Sequence, residues 1–544
     1  MRRSVLRGSR LPLIAAAVAA VVIAASFLGL FEREGPLPSF ANQACNLDPE
    51  WLELTRRGYF EPRSGQIAIL PDTPAYMASG GGGWSHSGPW PYLQDVPLVF
   101  YGPDLVPARG EVAGEATLAD IAPTYMTFLR ALVQTEDGES LDEVARFSGS
   151  FLRQQPPRLI VTIVWDGGGD NTLELFSDAW PNLETLMRGG VSYEDAIAGS
   201  NPSVTPAVHT TLGAGVFPWI HGITGVPMRD EKGEVVDAFL KGRSSRFIQV
   251  PTISELWDEQ NDNEALVGML GYEPWHLGMI GRGAEKPGGD KDDAVWLDVE
   301  TNEWITNEEH YRLPPSVVKP EWLEEEIRRL DAEDGESDGR WRGHDILDKP
   351  DRIEETPAFI RYHGRVMENM IREEGYGDDR VTDLLFTNFK QIDRLGHYFN
   401  MDSPEVRDAL VESDEVLGDL VMFLDEEVGR GRWVLAVTAD HGQQPDASAV
   451  DGYGIDPREV ESDIRDEFGP IVRAVWPTEV FLLDDALAEH DVTVEEVARF
   501  LGDYRLADNT QRPDFLLGGQ GSFHAQDRLF AMAIPSKLLP DLSC

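Results

Sequence analysis

Short apolar runs rich in β-branched residues recur along the chain, and several of them end at a charged residue. The clearest run is Leu-Ile-Val-Thr-Ile-Val-Trp at 159–165, which is followed by Asp166 and three glycines. Such a run predicts a strand that is buried on both faces, as in a parallel sheet. Because ligands of open α/β sheets bind beyond the carboxyl ends of strands, Asp166 is expected where a metal or substrate would lie. The other interpretation of Asp166 is a turn residue before glycines.

The rest of the chain alternates between predicted strands and predicted helices. The apolar runs predict strands at 96–101, 191–198, 384–389 and 433–439. Helical spacing and end signals predict helices at 117–132, 181–189, from about Pro206, at 321–333, from Ser403-Pro404 and at 493–501. Alternation of this kind predicts an α/β fold, with a central, mostly parallel sheet flanked by helices.

The segment from about 229 to 379 interrupts this alternation. It is rich in charged residues, and its stretch at 283–293 is rich in Gly and Pro. We expect an inserted cap over the site, which would set the substrate. The predicted domains are therefore an N-terminal region at 1–31, a stalk at 32–45, a first catalytic segment at 46–150, and a catalytic core at 151–544 that contains the cap.

The N-terminal region has the pattern of a membrane anchor. Four arginines, at positions 2, 3, 7 and 10, precede an apolar stretch from Leu11 to Phe31. About twenty apolar residues span a bilayer, and the side with more basic residues stays in the cytoplasm. We therefore expect a single transmembrane helix in the cell membrane, with the catalytic domain outside the cytoplasm. A cleaved signal peptide is the alternative.

Composition and charge limit the kinds of molecule that this protein is expected to bind. The chain has 544 residues, of which 42% are hydrophobic, and its 95 acidic and 47 basic side chains give a formal net charge of -48. This field repels polyanions and argues against binding to duplex nucleic acid. A phosphorylated small molecule would need local positive charge, which bound metal ions could supply.

The chain has two cysteines, Cys45 and Cys544, which lie near its two ends. In an oxidising exterior they could form a disulfide that joins these ends. The alternative is two unrelated free thiols.

Three predicted strands end in side chains that bind metals. Asp166 follows the first, Asp393 and His397 follow the second, and Asp440-His441 follows the third. Carboxylate and imidazole ligands suit zinc and similar divalent ions. Two such ions can stabilise both the attacking and the leaving oxygen of a phosphoryl transfer. Thr205, near a predicted helix start, is a nucleophile that a metal could activate.

The ordered set resembles the alkaline phosphatase superfamily, in particular its nucleotide pyrophosphatase/phosphodiesterase branch with a threonine nucleophile. The resemblance covers most of 84–530 and rests on the segments Val164–Gly167, Ser203–Thr211, His221–Ile223, Asp393–His397 and Thr438–Gly442. It implies an alkaline-phosphatase-like α/β sandwich. It also implies that Asp166, Thr205, Asp440 and His441 hold one metal and that Asp393, His397 and one more histidine hold the other. By the same resemblance His209 and His221 are structural.

The remaining histidine is His86 or His524. Residues 85–124 look like the C-terminal segment of the family, which carries this histidine, yet here they precede the first strand. We interpret this order as a circular permutation with His86 as the ligand, and a disulfide between Cys45 and Cys544 would fit it. In the alternative, His524 of Gly521-Ser522-Phe523-His524 completes the site.

One position departs from the family pattern. Val226 stands where the family often has an asparagine that helps to hold the phosphoryl oxygens. The loss of one such donor can cost on the order of a hundredfold in rate.

The resulting hypothesis is an exported, membrane-anchored phosphohydrolase with two divalent metal ions, of which zinc is favoured. It would cleave a phosphodiester, a pyrophosphate or a phosphomonoester through a phospho-threonine at Thr205. The alternatives are a phosphotransferase acting on lipid or glycan acceptors, and a non-catalytic surface protein that keeps the metal site.

Overall fold

The computed structural model of the protein describes residues 38–78, 84–131, 135–145, 155–346, 350–510, 524–542 and 544. The described residues from Phe40 to Cys544 belong to one compact unit. The predicted anchor, from Leu11 to Phe31, lies outside the described residues. In the described part, no helix combines the length and the apolar character needed to cross a membrane.

Strands and helices alternate through most of the described chain. The strands are β1 (Ile67–Pro71), β2 (Ala75–Met77), β3 (Leu98–Tyr101), β4 (Gly110–Thr117), β5 (Leu159–Trp165), β6 (Val191–Ile197), β7 (Pro227–Arg229), β8 (Val235–Asp237), β9 (Val267–Leu270), β10 (Asp293–Asp298), β11 (Glu303–Ile305), β12 (Arg340–Trp341), β13 (His344–Asp345), β14 (Asp383–Phe389), β15 (Trp433–Thr438), β16 (Tyr453–Ile455), β17 (Val472–Trp476), β18 (Glu479–Leu482) and β19 (Phe530–Pro535).

The α-helices are α1 (Phe40–Cys45), α2 (Pro49–Arg57), α3 (Pro91–Gln94), α4 (Ile121–Leu129), α5 (Asp170–Leu175), α6 (Pro181–Gly189), α7 (Thr205–Ala214), α8 (Pro218–His221), α9 (Ile253–Gln260), α10 (Pro320–Ala332), α11 (Pro357–Glu374), α12 (Gln391–Phe399), α13 (Pro404–Leu424), α14 (Pro457–Phe468), α15 (Asp484–Glu489) and α16 (Val494–Gly502). Short 3₁₀ turns connect several of these elements, among them Leu118–Asp120 and Pro274–Met279.

A nine-stranded mixed sheet forms the centre of the fold, in the order β11-β10-β9-β14-β5-β15-β3-β6-β4. The neighbours β10, β9, β14, β5 and β15 are parallel, whereas β3 and β11 run against their neighbours. Because β5, β14 and β15 are adjacent and parallel, their carboxyl ends meet at one edge, as the sequence predicts for Asp166, Asp393 and Asp440.

Strand β5 explains why the apolar run is continuous. All seven of its residues are buried. Ile160 and Val164 belong to the hydrophobic core on one face of the sheet, and Val161 and Ile163 belong to the core on the other face. Both faces of the strand are thus covered, which confirms the prediction of a strand buried on both sides.

Most predicted elements appear with their ends shifted by a few residues. The predicted helix at 117–132 starts as the 3₁₀ turn Leu118–Asp120 and continues as α4. The N-cap of α13 is Ser403, whose side chain accepts a hydrogen bond from Val406 N–H, and α16 starts at the predicted capping box of Thr493 and Glu496. These local signals depend on neighbouring residues alone, so they can be read directly from the sequence.

The two ends of the chain meet at a second, antiparallel sheet that the sequence pattern does not predict, ordered β17-β18-β1-β19. Strand β1 pairs with β19, and the helix of Cys45 lies against β19, where Gln43 Oε1 accepts a hydrogen bond from Ala533 N–H at 3.0 Å. Cys45 and Cys544 form the expected disulfide, with Cα atoms 5.4 Å apart. Residues 40–45 of the predicted stalk therefore pack on the catalytic unit.

The predicted cap, from about 229 to 379, also supplies part of the central sheet. Strands β9, β10 and β11 lie in this segment and form one side of the nine-stranded sheet. Strand β9 has four residues and β11 has three. Runs this short carry little periodic signal, so their place in the sheet is visible only from their pairing.

Candidate metal centre

Asp166 lies directly after β5, at the carboxyl edge of the sheet, and is fully buried. Asn388 Nδ2 donates to its Oδ2 at 3.0 Å, so the neighbouring strand β14 holds the carboxylate in place. Gly167 follows with φ +70°, and a Cβ there would lie 2.9 Å from Asp393 Cα. The glycine therefore lets the chain turn and lets the loop of Asp393 approach Asp166 closely.

Thr205 is the first residue of α7, and its side chain is buried. Its Oγ1 lies 3.5 Å from Asp166 Oδ2. Pro206, at the second position, suits a helix start because its missing N–H would have no partner within the helix. The hydroxyl is thus placed at the positive end of the helix dipole and beside a carboxylate.

Asp393 and His397 lie one turn apart on α12, and the structure brings His86 to them. His86 Nε2 and His397 Nε2 lie 3.5 Å and 3.3 Å from Asp393 Oδ1. His397 Nδ1 is hydrogen-bonded to the carbonyl of Trp84, which turns Nε2 towards Asp393. One ligand atom from each of His86, Asp393 and His397 lies within 4.8 Å of the other two.

Asp440 and His441 follow β15 and meet Asp166. His441 Nε2 lies 3.5 Å from Asp166 Oδ1 and 3.5 Å from Asp440 Oδ2. Asp440 Oδ1 accepts a hydrogen bond from Gly167 N–H at 3.1 Å, which orients the other oxygen inwards. The rings of His86 and His441 stack with centroids 3.5 Å apart, so the two ligand groups adjoin.

Several buried polar atoms of this centre lack a hydrogen-bond partner among the described residues. They are His86 Nδ1, His209 Nε2, Asp440 Oδ2 and His441 Nε2. Unpaired buried polar atoms are costly, and carboxylate and imidazole donors are ligands of zinc and similar ions. The residues present therefore fit divalent metal ions.

Lys390 is a central residue that the sequence analysis missed. Its buried ammonium donates to Asp166 Oδ1 at 2.6 Å and to Thr205 Oγ1 at 2.9 Å, and it lies 2.8 Å from Asp393 Oδ2. Burial alone would lower its pKa, but Asp166, Asp393 and Asp440 raise the pKa above the ordinary value. The lysine is therefore a permanent cation between the proposed nucleophile and two carboxylates. Its position three residues before Asp393, at the end of an apolar run, was the available signal.

The cation and the imidazoles set the charge of the carboxylates. Burial would raise the pKa of Asp393, yet His397, Lys390 and His86 hold it well below its usual range. The pKa of Asp440 is also lowered, because the effect of His441, His209 and Lys390 is larger than that of burial. Burial would lower the pKa of His441, but Asp440 and Asp166 raise it to about 9.

Two histidines form an outer layer of the centre. His209 lies one turn after Thr205 on α7, and its Nε2 is 3.5 Å from Asp440 Oδ2. His276 Nδ1 is 3.1 Å from His209 Nδ1, and both histidines group with Asp166 as a third set of potential metal ligands. The sequence analysis missed His276, which comes from the predicted cap. His221, in contrast, is hydrogen-bonded to Thr211 Oγ1 and to Ile223 N–H.

The other two positions singled out in the sequence lie elsewhere. His524 is exposed, and its N–H donates to Asp527 Oδ2 at 2.6 Å. It is absent from the potential ligand groups of the described residues. Val226 is half-buried, and its carbonyl accepts a hydrogen bond from Ala238 N–H at 3.0 Å.

Comparisons with known proteins identify the family to which this chain is similar. A family model described as type I phosphodiesterase / nucleotide pyrophosphatase matches residues 160–510. The chain is 23% identical over 406 residues to a calcium-transporting ATPase of Myroides odoratus, covering 63% of this chain and 72% of that one. It is 22% identical over 410 residues to alkaline phosphatase PafA of Elizabethkingia meningoseptica, covering 66% and 74%. It is 24% identical over 336 residues to alkaline phosphatase PhoV of Synechococcus elongatus, covering 55% and 60%.

The fold agrees with these relatives. The crystal structure of wild-type PafA matches with a TM-score of 0.51 and 18% sequence identity, covering 69% of this chain and 84% of that chain. The α/β fold with a large mixed sheet is thus alkaline-phosphatase-like. Since the family model matches more than half of the residues, the chain belongs to the type I phosphodiesterase/nucleotide pyrophosphatase family of phosphoric ester hydrolases, within the alkaline phosphatase superfamily.

Proposed function

We propose that this protein is an exported, membrane-anchored, metal-dependent phosphohydrolase in which Thr205 accepts the phosphoryl group. The observation that carries the proposal is the surroundings of Thr205 Oγ1. The hydroxyl is buried at the start of α7, 2.9 Å from Lys390 Nζ and 3.5 Å from Asp166 Oδ2, beside two groups of metal ligands.

The ligand sets divide into two sites. Asp166, Thr205, Asp440 and His441 would hold one divalent ion, and His86, Asp393 and His397 would hold the other, with zinc favoured by the donors. When bound, such ions supply Lewis-acid stabilisation of the charge that develops on the phosphoryl oxygens.

The chain's own residues would then act in two stages. In the first, Thr205 Oγ1 gives its proton to water and attacks phosphorus. The bond to the leaving oxygen breaks, that oxygen takes up a proton from water, and a phospho-threonine forms. In the second, water attacks the phospho-threonine and releases phosphate or a phosphomonoester. Lys390 donates a hydrogen bond to Oγ1 and would stabilise its negative charge in both stages, together with the α7 dipole.

The ester class is part of the proposal. The description of the family names phosphodiesterase and nucleotide pyrophosphatase, while PafA and PhoV are named alkaline phosphatases. Because both chemistries cleave a bond to phosphorus, we propose a phosphate ester or pyrophosphate as the substrate. The segment at 229–379, which brings His276 to the centre, would contribute to the choice between them.

The chemistry is tested with the full chain, purified in detergent and loaded with zinc. Hydrolysis of p-nitrophenyl phosphate, of its bis-ester and of a nucleotide pyrophosphate should be compared in the wild type, in Thr205→Ala and in a chelated sample. Turnover that falls at least about a thousandfold in Thr205→Ala, and that is lost on chelation, would support the proposal. The preferred ester would identify the branch.

Thr210→Ala provides a matched control. Thr210 lies on the same helix, is buried, and donates its hydroxyl to the carbonyl of Pro206 at 2.7 Å. Since removal of this type of bond perturbs a helix little, Thr210→Ala should keep its turnover within about tenfold. Equal losses in the two variants, or no turnover in the metal-loaded wild type, would contradict the proposed hydrolysis. The latter result would favour a phosphotransferase or a non-catalytic protein.

The location is proposed from the N-terminal pattern of arginines followed by Leu11 to Phe31, and the disulfide is in keeping with an oxidising exterior. In cells, the protein should stay with the membrane after a carbonate wash. Deletion of residues 1–31 should remove it from the membrane fraction. A full chain found entirely in the soluble fraction would contradict the anchor.

A further inference from the structure

A second group of carboxylates lies at the side of the central sheet that β10 and β11 form. Asp258 is on α9, and Asp290 and Asp292 are on the loop before β10. One carboxylate oxygen from each of the three residues lies within 4.8 Å of the other two. The three line a cavity of about 60 Å³, and none of the ligand groups described above contributes to its walls. We call Asp258, Asp290 and Asp292 the cap carboxylates.

Asp258 carries an independent sign of a ligand. The residue is 6% exposed, and its Oδ1 is buried with no hydrogen-bond partner among the described residues. Leaving a buried charged oxygen unpaired is expensive, and an ordered ion or water usually satisfies such an atom. Since Asp258 lines the cavity, the missing partner would lie there.

The neighbouring basic side chains are engaged elsewhere. Lys286 lines the same cavity, but its Nζ lies 2.9 Å from Glu259 Oε2 and 3.4 Å from the carbonyl of Glu255. Arg282 donates to both carboxylate oxygens of Glu255. Burial, with a smaller contribution from Asp290, raises the pKa of Asp258 to about 7 despite Lys286. The hydrogen bonds of these two basic residues in the described structure therefore go to Glu255 and Glu259 rather than to the cap carboxylates.

The loop is shaped so that it closes over this position. Gly288 has φ +91°, a conformation that side chains rarely adopt. At Gly289 a Cβ would lie 2.5 Å from the carbonyl oxygen of Gly283, so only glycine allows this approach. Both glycines line the cavity and keep the backbone close to the carboxylates.

We infer that the cap carboxylates bind one divalent cation of the calcium class. The donors are oxygen atoms alone, which suits a hard cation rather than zinc. Calcium–oxygen distances of about 2.3–2.6 Å allow ligand atoms to lie up to about 5 Å apart, so three carboxylate oxygens grouped in this way can share one ion. The cavity exceeds the 10–15 Å³ or so that one water needs, so water can complete the coordination.

The cation would connect two elements that are 30 residues or more apart in the chain, α9 and the loop of Asp290. Strand β10 pairs with β9, and the chain continues from β9 to His276 of the candidate metal centre. A cation here would therefore stabilise the side of the sheet that supports the centre. The inference does not depend on the proposed hydrolysis, because the cap carboxylates take no part in it.

Calcium binding to the full chain, with its catalytic metals loaded, tests the inference. Calorimetric titration with Ca²⁺ at an ionic strength of about 0.15 M limits weak binding to the acidic surface. Asp258→Asn and Asp292→Asn should each weaken a single Ca²⁺ site at least about tenfold, since each removes a charged ligand. Addition of Ca²⁺ should raise the melting temperature of the wild type and not that of either variant.

Asp262→Asn is the matched control. Asp262 is exposed, lies two residues after the end of α9 and does not line the cavity, and its φ of +55° suits asparagine. This variant should bind Ca²⁺ like the wild type. The inference is overturned if the wild type shows no saturable Ca²⁺ site that Asp258→Asn lacks. It is also overturned if Asp262→Asn weakens Ca²⁺ binding as much as Asp258→Asn does. Turnover of phosphate esters by all these variants would be judged separately, so a failure here leaves the proposed function untouched.

Discussion

Two groups of three carboxylates occupy different parts of this molecule: Asp166, Asp393 and Asp440 of the candidate metal centre, and the cap carboxylates Asp258, Asp290 and Asp292. In the candidate metal centre, Lys390 and the imidazoles lower the pKa of Asp393 and Asp440 although burial would raise it. Among the cap carboxylates, burial and mutual repulsion raise the pKa of Asp258 and Asp292.

The difference lies in where the balancing charge comes from. The candidate metal centre carries its own cation, because the ammonium of Lys390 is within 2.9 Å of Asp166, Asp393 and Thr205. Part of the charge that balances its carboxylates therefore comes from the protein itself. No basic side chain donates a hydrogen bond to the cap carboxylates in the part of the chain that the structure describes, so we expect a proton or an external cation to balance their charge.

The largest effect is expected from Lys390→Met. The substitution leaves buried carboxylates without their cation, which costs about 3–5 kcal/mol in the free energy of unfolding when metals are chelated. It also removes the donor to Thr205, so turnover should fall at least about a hundredfold. Denaturant unfolding in chelator and ester hydrolysis with metals provide the two readouts.

Lys286→Met is the counterpart at the cap carboxylates. The Lys286 ammonium is bound to the exposed Glu259, and ion pairs that are open to water contribute little to stability. We therefore expect little change in stability and none in turnover. If Lys286→Met lost as much stability and turnover as Lys390→Met, the proposed difference between the two groups of carboxylates would be wrong.

The next largest effect concerns the histidine of the second metal group. His86→Asn should weaken the binding of one of two metal ions by at least about tenfold, since His86 lies beside Asp393 and His397. His524→Asn should leave metal content unchanged, because that side chain is exposed. Elemental analysis after dialysis against a weak chelator distinguishes them. A loss in His524→Asn with none in His86→Asn would overturn this assignment.

A smaller effect is expected from pH at the cap carboxylates. The pKa of Asp258 is raised to about 7, so protons compete with a cation below that value. The affinity for Ca²⁺ should fall by up to about tenfold per pH unit as the pH decreases from 7 to 5. In chelator the free energy of unfolding depends on pH in the opposite direction. Asp258 is tolerated in its buried site when it is protonated, so its contribution to stability is present at low pH and is lost as the pH rises through about 7. Calorimetry from pH 5 to 8 checks both, and a Ca²⁺ affinity independent of pH would contradict the assignment.

The smallest effect is expected from two carboxylate-to-amide substitutions, which should change the free energy of unfolding in chelator in opposite directions. Asp290→Asn removes repulsion at an exposed position and should raise the free energy of unfolding slightly, by about 0.5 kcal/mol at most. Asp166→Asn removes a partner of Lys390 and should lower it. Denaturant midpoints provide the comparison, and a stabilising Asp166→Asn would show that the lysine is not balanced as described.

The sequence was most informative where local patterns decide the structure. Continuous apolar residues identified β5, β14 and β15, and the polar residues just after them identified Asp166, Asp393 and Asp440. Family resemblance led to His86, although 307 residues separate it from Asp393 in the chain, and the structure places the two side chains together. The disulfide between Cys45 and Cys544 was also expected from the sequence.

What the sequence could not predict depends on tertiary contacts. Lys390 follows the apolar run of β14 in the sequence, but only the folded chain shows that its side chain is buried between Asp166 and Asp393. His276 reaches the centre because β9 joins the central sheet, a pairing that four apolar residues do not determine.

The most direct test of the account is to trap the phosphorylated enzyme. Metal-loaded protein would be mixed with p-nitrophenyl phosphate, quenched in acid within the first turnover, digested and examined by mass spectrometry, with Thr210→Ala as a positive control and Thr205→Ala as a negative one. A phosphate is expected on Thr205 in the wild type and in Thr210→Ala, and none is expected in Thr205→Ala. Turnover by the wild type that continues undiminished in Thr205→Ala, or a phosphate trapped on another residue, would contradict it.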